Sequence, residues 1–198
     1  MMKTKILLPL LLFFSFLNLG FYSVNDQYLL DVGHTYIGFD VERFLVGEVT
    51  GRFNEFAGDI SLQNENIESL QANIKIKTNS LDTNNEIRDG HLKGKMWLDT
   101  ASYPEINFVS TAVTKNQENQ YVMEGDLTIR GITKRIQFPI TVSGPFKDPT
   151  KKIAIGIKAD LVIDRFDFGI MFNKKMDNGS FFIGNEVKIK IRTLAYKK

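Results

Sequence analysis

The sequence predicts an all-β protein, an eight-stranded antiparallel β-barrel covered at one mouth by a short helical lid. Three observations predict it. Apolar and polar residues alternate with period two through most of the chain, the pattern of strands with one buried face. The composition sets 15 glycines and 16 phenylalanines against a single tryptophan, which suits β-structure better than a helical bundle. The alternation stops in one place, Ser80 to Leu92, where helical spacing takes over.

The 198 residues are enough for one domain with a sizeable core. Residues 1–23 place Lys3 and Lys5 ahead of a nearly unbroken apolar run, Ile6 to Leu17, interrupted by Pro9. That run is shorter than the ~20 residues a spanning helix needs. It reads as a cleaved secretory signal, with residues 24–198 as the exported domain, periplasmic or secreted; no A-x-A site marks the cut. Cysteine is absent, so disulfides, a thiol nucleophile, a cysteine metal site and lipoprotein acylation are all excluded. Of the 25 basic residues, Lys3 and Lys5 lie in the signal, which leaves 23 against 23 acidic ones. A neutral domain weighs against nucleic acid as a partner.

The strands follow in order. Ile37, Phe39 and Val41 face one way and Gly38, Asp40 and Glu42 the other. Thr50 to Phe56 forms the next strand, with Gly58 separating it from Ile60 and Leu62. Ala72, Ile74 and Ile76 alternate with polar residues, and Phe108–Val113 with Tyr121–Ile129 make an antiparallel pair around a polar turn. Ile136, Phe138, Ile140 and Val142 alternate around Pro139. Proline cannot donate to a ladder, so this strand lies at an edge, a bulge or an irregularity. Ile153 to Leu161 and Val187 to Ile191 carry the cleanest alternation, and Asn178-Gly179 marks a hairpin turn between them. Closing eight such strands removes exposed edges and leaves an interior wide enough for one elongated ligand; a two-sheet sandwich is the alternative.

In the interrupting stretch, Asp82 or Thr83 can cap a helix, and Glu86 stands three residues after Thr83 at capping-box spacing. Ile87, Gly90 and His91 recur at helical intervals beside Leu92, so a turn or two of helix is expected to pack inward.

The candidate apolar wall comprises Ile37, Phe39, Phe53, Phe56, Ile74 and Ile76 from the first half of the chain. Phe108, Ile136, Phe138, Val142, Ile155, Ile157, Ile189 and Ile191 complete it. Alternation shows a buried apolar face; whether that face packs solid or surrounds a tunnel it leaves open. If hollow, each buried CH₂ of a lipid tail contributes ~0.8 kcal/mol without any charged contact. Arg52, Arg88 and His91 are the basic candidates near a headgroup at the mouth, and arginine can fork two bonds onto a phosphate. The competing role for Arg88 is pairing with Asp82 or Asp89 to hold the lid. Catalysis has little support. Ser80, His91 and Asp82 could form a triad on paper, but no G-x-S-x-G elbow occurs, and His34 and His91 lack metal-ligand spacing. His34, after Gly33, reads as a structural hydrogen-bonding residue.

Several motifs converge on one family. They are Asp31-Val32-Gly33-His34-Thr35, Gly51-Arg52-Phe53 with Phe56-Ala57-Gly58, Ser80-Leu81-Asp82-Thr83 and Arg88-Asp89-Gly90-His91-Leu92. Tyr103-Pro104-Glu105-Ile106, Gly125 to Gly131, Asp164 to Ile170 and Ile183-Gly184-Asn185-Glu186-Val187 follow in the same order. With these the chain resembles the YceI-like proteins, exported bacterial lipocalin-like barrels that bind polyisoprenoid lipids. It departs from the family's usual pattern at Arg43, at Trp97-Leu98, after Arg88 and at Asn185. The resemblance implies a barrel that holds an isoprenoid or isoprenoid-quinone tail as cargo, with no cofactor. It implies transport or storage in the cell envelope and transient contact with a membrane or membrane protein. An exported stress protein working through protein contacts is the alternative.

Overall fold

The computed structural model describes residues 25–198; the expected signal at 1–23 lies outside them. Eleven strand segments make up the fold. They are β1 (Asn25–Leu30), β2 (Tyr36–Arg43), β3 (Gly47–Phe53), β4 (Phe56–Gln63), β5 (Asn66–Lys77) and β6 (Leu81–Asp82), then β7 (Glu105–Gln117), β8 (Gln120–Ile129), β9 (Ile132–Lys147), β10 (Ile153–Asp164) and β11 (Ile183–Lys197), with one helix, α1 (Glu86–Lys93). All pairings are antiparallel. Both β1 and β2 run against β11, while β4 pairs with β1 and β3 with β2. Each of these couples is therefore one interrupted strand. Counted so, the sheet closes into the expected eight-stranded barrel, with β6 a short extension beside β3.

The interruptions have local causes. Between β1 and β2, Asp31 caps a turn of 3-10 helix, Val32–His34, by accepting from Gly33 N at 3.0 Å. His34 Nδ1 lies 2.8 Å from Asp31 Oδ2, so His34 is structural, as expected. This bond, more than any other contact, holds the Asp31 carboxyl below its ordinary range. Between β3 and β4 the break falls at Asn54-Glu55, not at Gly58, which sits inside β4 against Ile74. Glu55 N donates to Ser80 Oγ there, tying the break to the segment after β5.

The β9–β10 ladder ends at the Ile140–Ala159 pair, so Pro139 is the first residue beyond it and loses no bond on that side. The 3-10 turn Arg165–Phe168 packs against both strands. At Asp177-Asn178-Gly179-Ser180 the chain reverses, with Gly179 at φ +83° and a Lys175–Phe181 bridge.

The barrel has two unlike ends. One carries the turns at 64–65, 118–119 and 148–152. Inside it Tyr28, Leu62, Leu70, Tyr121, Val142 and Ile155 pack into a solid core. Each fully buried aliphatic or aromatic residue there contributes about 1.5–3 kcal/mol. The other end carries the 44–46 hairpin turn, α1 and its flanking loops, and residues 165–182. On the outer wall, long lysines cover buried acids: Lys190 Nζ lies 2.8 Å from Asp40 Oδ2, and Lys197 Nζ 2.7 Å from Asp26 Oδ1.

Candidate functional site

Above the solid end the barrel is hollow. A cavity of about 230 Å³ occupies its middle and reaches the lid end. Inward-facing Phe39, Ile189 and Ile191 line it and keep accessible surface although they point into the barrel. The period-2 pleat explains the wall, because alternate residues of every strand must face the axis.

Of the predicted wall residues, Ile37, Phe39, Phe53, Ile74, Ile76 and Phe108 line the cavity, as do Ile136, Phe138, Ile157, Ile189 and Ile191. Phe56, Val142 and Ile155 do not. Val142 and Ile155 belong to the packed end, at 2% and 0% exposure. Phe53 and Phe56 stand three apart, so one regular strand would put them on opposite faces. The Asn54-Glu55 break shifts the phase, so Phe56 shares the inward face of β4 with Ile60, and it is buried there by packing without lining the cavity.

The lid differs from expectation. Its N-cap is Asn85, whose side chain accepts from Arg88 N at 3.0 Å, and neither Asp82 nor Thr83 caps it. Thr83 is buried and tied instead to Asp89 Oδ1 through both its N–H and its hydroxyl. Ile87 is 76% exposed, and Gly90 and His91 face solvent too. The inward residues are Leu92, at the end of α1, and Trp97 and Leu98 in the turn beyond it. They meet Phe168 and Ile170 across the cavity.

None of the three predicted headgroup residues lines the cavity. Arg52 points out of β3, with Nε 3.8 Å from Asp82 Oδ2. Arg88 turns back onto Thr83, its Nε donating to the hydroxyl and Nη2 to the carbonyl, each at 2.7 Å. It thus fastens the lid through Thr83, not through Asp82 or Asp89. Ser80 donates to Lys77 O at 2.7 Å and Asp82 accepts from Asn84 N at 2.8 Å, so both are engaged away from a triad with His91.

Among the described residues one cation does line the cavity: Arg165, 3% exposed. Its guanidinium donates to the carbonyls of Gly184 (3.0 Å), Ile170 (2.6 Å) and Phe172 (2.9 Å). It also lies over the rings of Trp97 and Phe166. Burial pushes its pKa below the ordinary arginine value, opposed by the charge of Asp164. These carbonyls satisfy the buried charge and keep the wall hydrocarbon in character. Asp164 in turn accepts from Phe166 N and from Asn185 Nδ2 at 2.6 Å. Sequence reasoning singled out the Asp164–Ile170 motif without giving Arg165 a role. An arginine between an acid and two aromatics, followed by Gly169, is the signal the sequence carries; the structure puts that glycine at φ +70°.

Comparison with known proteins agrees with this architecture. A model of the YceI-like domain matches residues 28–195. The UPF0312 protein plu2095 of Photorhabdus laumondii is 36% identical over 159 residues, covering 79% of this chain and 80% of that protein. A UPF0312 protein of Pseudomonas savastanoi is 36% identical over 137 residues, 69% of this chain and 71% of its own. Among solved structures, BcnA of Burkholderia cenocepacia superposes with a TM-score of 0.73 at 22% identity, covering 83% of this chain and 98% of that one. A polyisoprenoid binding domain from Saccharophagus degradans does so with 0.65 at 16% identity, covering 86% and 98%. The sequence match spans nearly the whole described barrel, and the chain belongs to the YceI-like family.

Proposed function

We propose that this protein is a carrier that holds the tail of an isoprenoid or isoprenoid-quinone lipid inside its barrel, for transport or storage in the cell envelope, and that it performs no catalysis. The observation that carries this reading is the cavity itself, walled by aliphatic and aromatic side chains, with its one cation spent on backbone carbonyls. The polyisoprenoid binding domain of similar fold supports the same class of ligand. An engineered 150 Å³ cavity holds a benzene ring; by proportion, 230 Å³ accepts roughly nine or ten carbons, about two isoprene units. At ~0.8 kcal/mol per CH₂ that segment gains about 7 kcal/mol before the costs of association. A longer tail needs the lid displaced.

The headgroup then stays outside the cavity, near the lid end. Export to the periplasm or beyond fits the apolar leader at residues 1–23. The test is solvent extraction of the purified protein followed by mass spectrometry. A stoichiometric isoprenoid supports the carrier. An extract without lipid, from protein that also fails to take up geranylgeraniol from detergent micelles, refutes it.

A further inference from the structure

The β2–β3 turn is built against its own residue preferences. Phe44 and Leu45 both hold positive φ, +54° and +67°, in the left-handed region that asparagine and glycine favour in hairpins. Bulky side chains there cost stability, and the turn spends it on exposure: Leu45 is half exposed and Val46 is 93% exposed. Phe44 is anchored edge-on to Phe182, with ring centroids 4.4 Å apart, so the turn is held out and not left loose.

Its surroundings share this character. Ile87 on the lid, and Met171 and Phe181 in the segment before β11, are large, apolar and exposed at this same end. At the opposite end, the turns at 64–65, 118–119 and 148–152 themselves carry no large apolar residue, and Phe146 beside the last of them is 43% exposed. Beneath the turn is a shallow pocket that Arg43 and Arg88 line together with Phe44, Val46 and Glu48. Arg43 is stacked on Phe44 and Phe182, and its buried Nε–H has no acceptor among the described residues. The one acid of that pocket, Glu48, already faces Lys188 at 3.4 Å. The pocket thus sets two guanidinium groups side by side. Arg88 gives its Nε and one Nη2 hydrogen to Thr83; the donors it does not spend there, with the outer nitrogens of Arg43, remain for an anion. Lys174 and Lys175 stand exposed in the segment that pairs with Phe182, with the exposed acids Asp177 and Glu42 beside them, so the positive charge is local to the arginine pocket.

We infer that the lid end is a membrane-docking face. The Phe44-Leu45-Val46 turn enters the interfacial layer of a bilayer, while Arg43 and Arg88 take the phosphate of an anionic phospholipid headgroup. A bilayer fits better than a protein partner because an apolar tip beside paired arginines matches the interface, apolar below and anionic above. The face is also continuous with the roof of the cavity: Val41 of β2 lines the cavity two residues before Arg43. A tail moving between bilayer and barrel there need not cross water. This deepens the carrier reading, yet it is tested apart from it.

The experiment is co-sedimentation of the protein with phosphatidylcholine vesicles, with and without phosphatidylglycerol, in parallel with geranylgeraniol uptake from detergent micelles. The wild type is expected to pellet with the anionic vesicles and to be released by high salt. L45D/V46D should bind them at least roughly tenfold more weakly while taking up geranylgeraniol normally. A second variant, Leu45→Asn, suits the left-handed backbone; it should raise Tm and still weaken vesicle binding. Vesicle binding without geranylgeraniol uptake would leave docking intact and remove the carrier reading. Wild type that stays in the supernatant overturns docking, as does vesicle binding that neither variant reduces. A dimer abolished by L45D/V46D, with no vesicle binding, would assign the face to a second copy and overturn it also.

Discussion

The guanidinium of Arg165 lies over the ring of Trp97, its carbon 5.5 Å from the ring centroid. Trp97 belongs to the turn that follows the lid helix, and Arg165 opens the segment that leads from β10 to β11. The pair therefore clasps the two coverings of the cavity together, with Phe172 on Trp97 at 5.3 Å. Replacing Arg165 by methionine keeps the stem and leaves three short-bonded carbonyls without their donor. The expected loss is about 2–4 kcal/mol in urea unfolding. The emission of Trp97, the sole tryptophan, should shift to the red in the folded variant. An unchanged urea midpoint would remove the clasp.

Filling the cavity separates binding from folding. Ala72 and Ala159 both line it from strands that also reach the solid end. Ala72→Leu and Ala159→Leu should keep Tm within a few degrees or raise it, because the added methylenes enter empty space. Both should reduce geranylgeraniol uptake. A drop in stability of about 1–3 kcal/mol would instead be the signature of overpacking in a barrel already full.

Phe108→Asp tests the wall from the other side. Phe108 lines the cavity and stacks on Phe138 at 5.6 Å. A carboxylate there faces hydrocarbon with no partner, so lipid retention should be lost. Retention of lipid by a folded variant would show that Phe108 does not touch the tail.

The Asp40–Lys190 pair predicts a pH dependence. A hydrogen bond from Lys190, with a second from Thr50, holds the Asp40 carboxyl below its ordinary range. A depressed folded pKa contributes stability that is fully present above the unfolded value, ~3.9, and is lost as pH falls through the folded value. Asp40→Asn should therefore be less stable than wild type by a constant margin between about pH 5 and 7. That margin should narrow below about pH 4, read as urea midpoints in acid. A margin independent of pH would assign the effect to geometry and not to charge.

Tyr28 is fully buried at the solid end, and its hydroxyl meets no hydrogen-bond partner among the described residues. Burial also raises its pKa above the ordinary tyrosine value. An unsatisfied buried hydroxyl costs about 1–3 kcal/mol, so Tyr28→Phe should be neutral or stabilising by thermal unfolding. A destabilisation of more than about 1 kcal/mol would show that the hydroxyl is bonded.

Alternation along the chain determined which side chains face the barrel axis, and it determined this for Ile37, Phe39, Ile189 and Ile191 without any tertiary knowledge. The pleat is a property of adjacent residues, so it is written locally. Only the tertiary structure decided that Val142 and Ile155 pack solid while Ile136 and Ile157, a few residues away, line a cavity. Hollow or full depends on side-chain volumes brought together from strands up to a hundred and more residues apart. The lid shows the same division. A helix between Ser80 and Leu92 is legible where the period-two alternation stops and helical spacing begins, but its N-cap, Asn85, lies beyond both residues that the sequence offered for it. That its end and the following turn, Leu92, Trp97 and Leu98, face inward instead of Ile87 and His91 depends on what lies beneath them, and Arg165 comes from the far end of the chain to decide it.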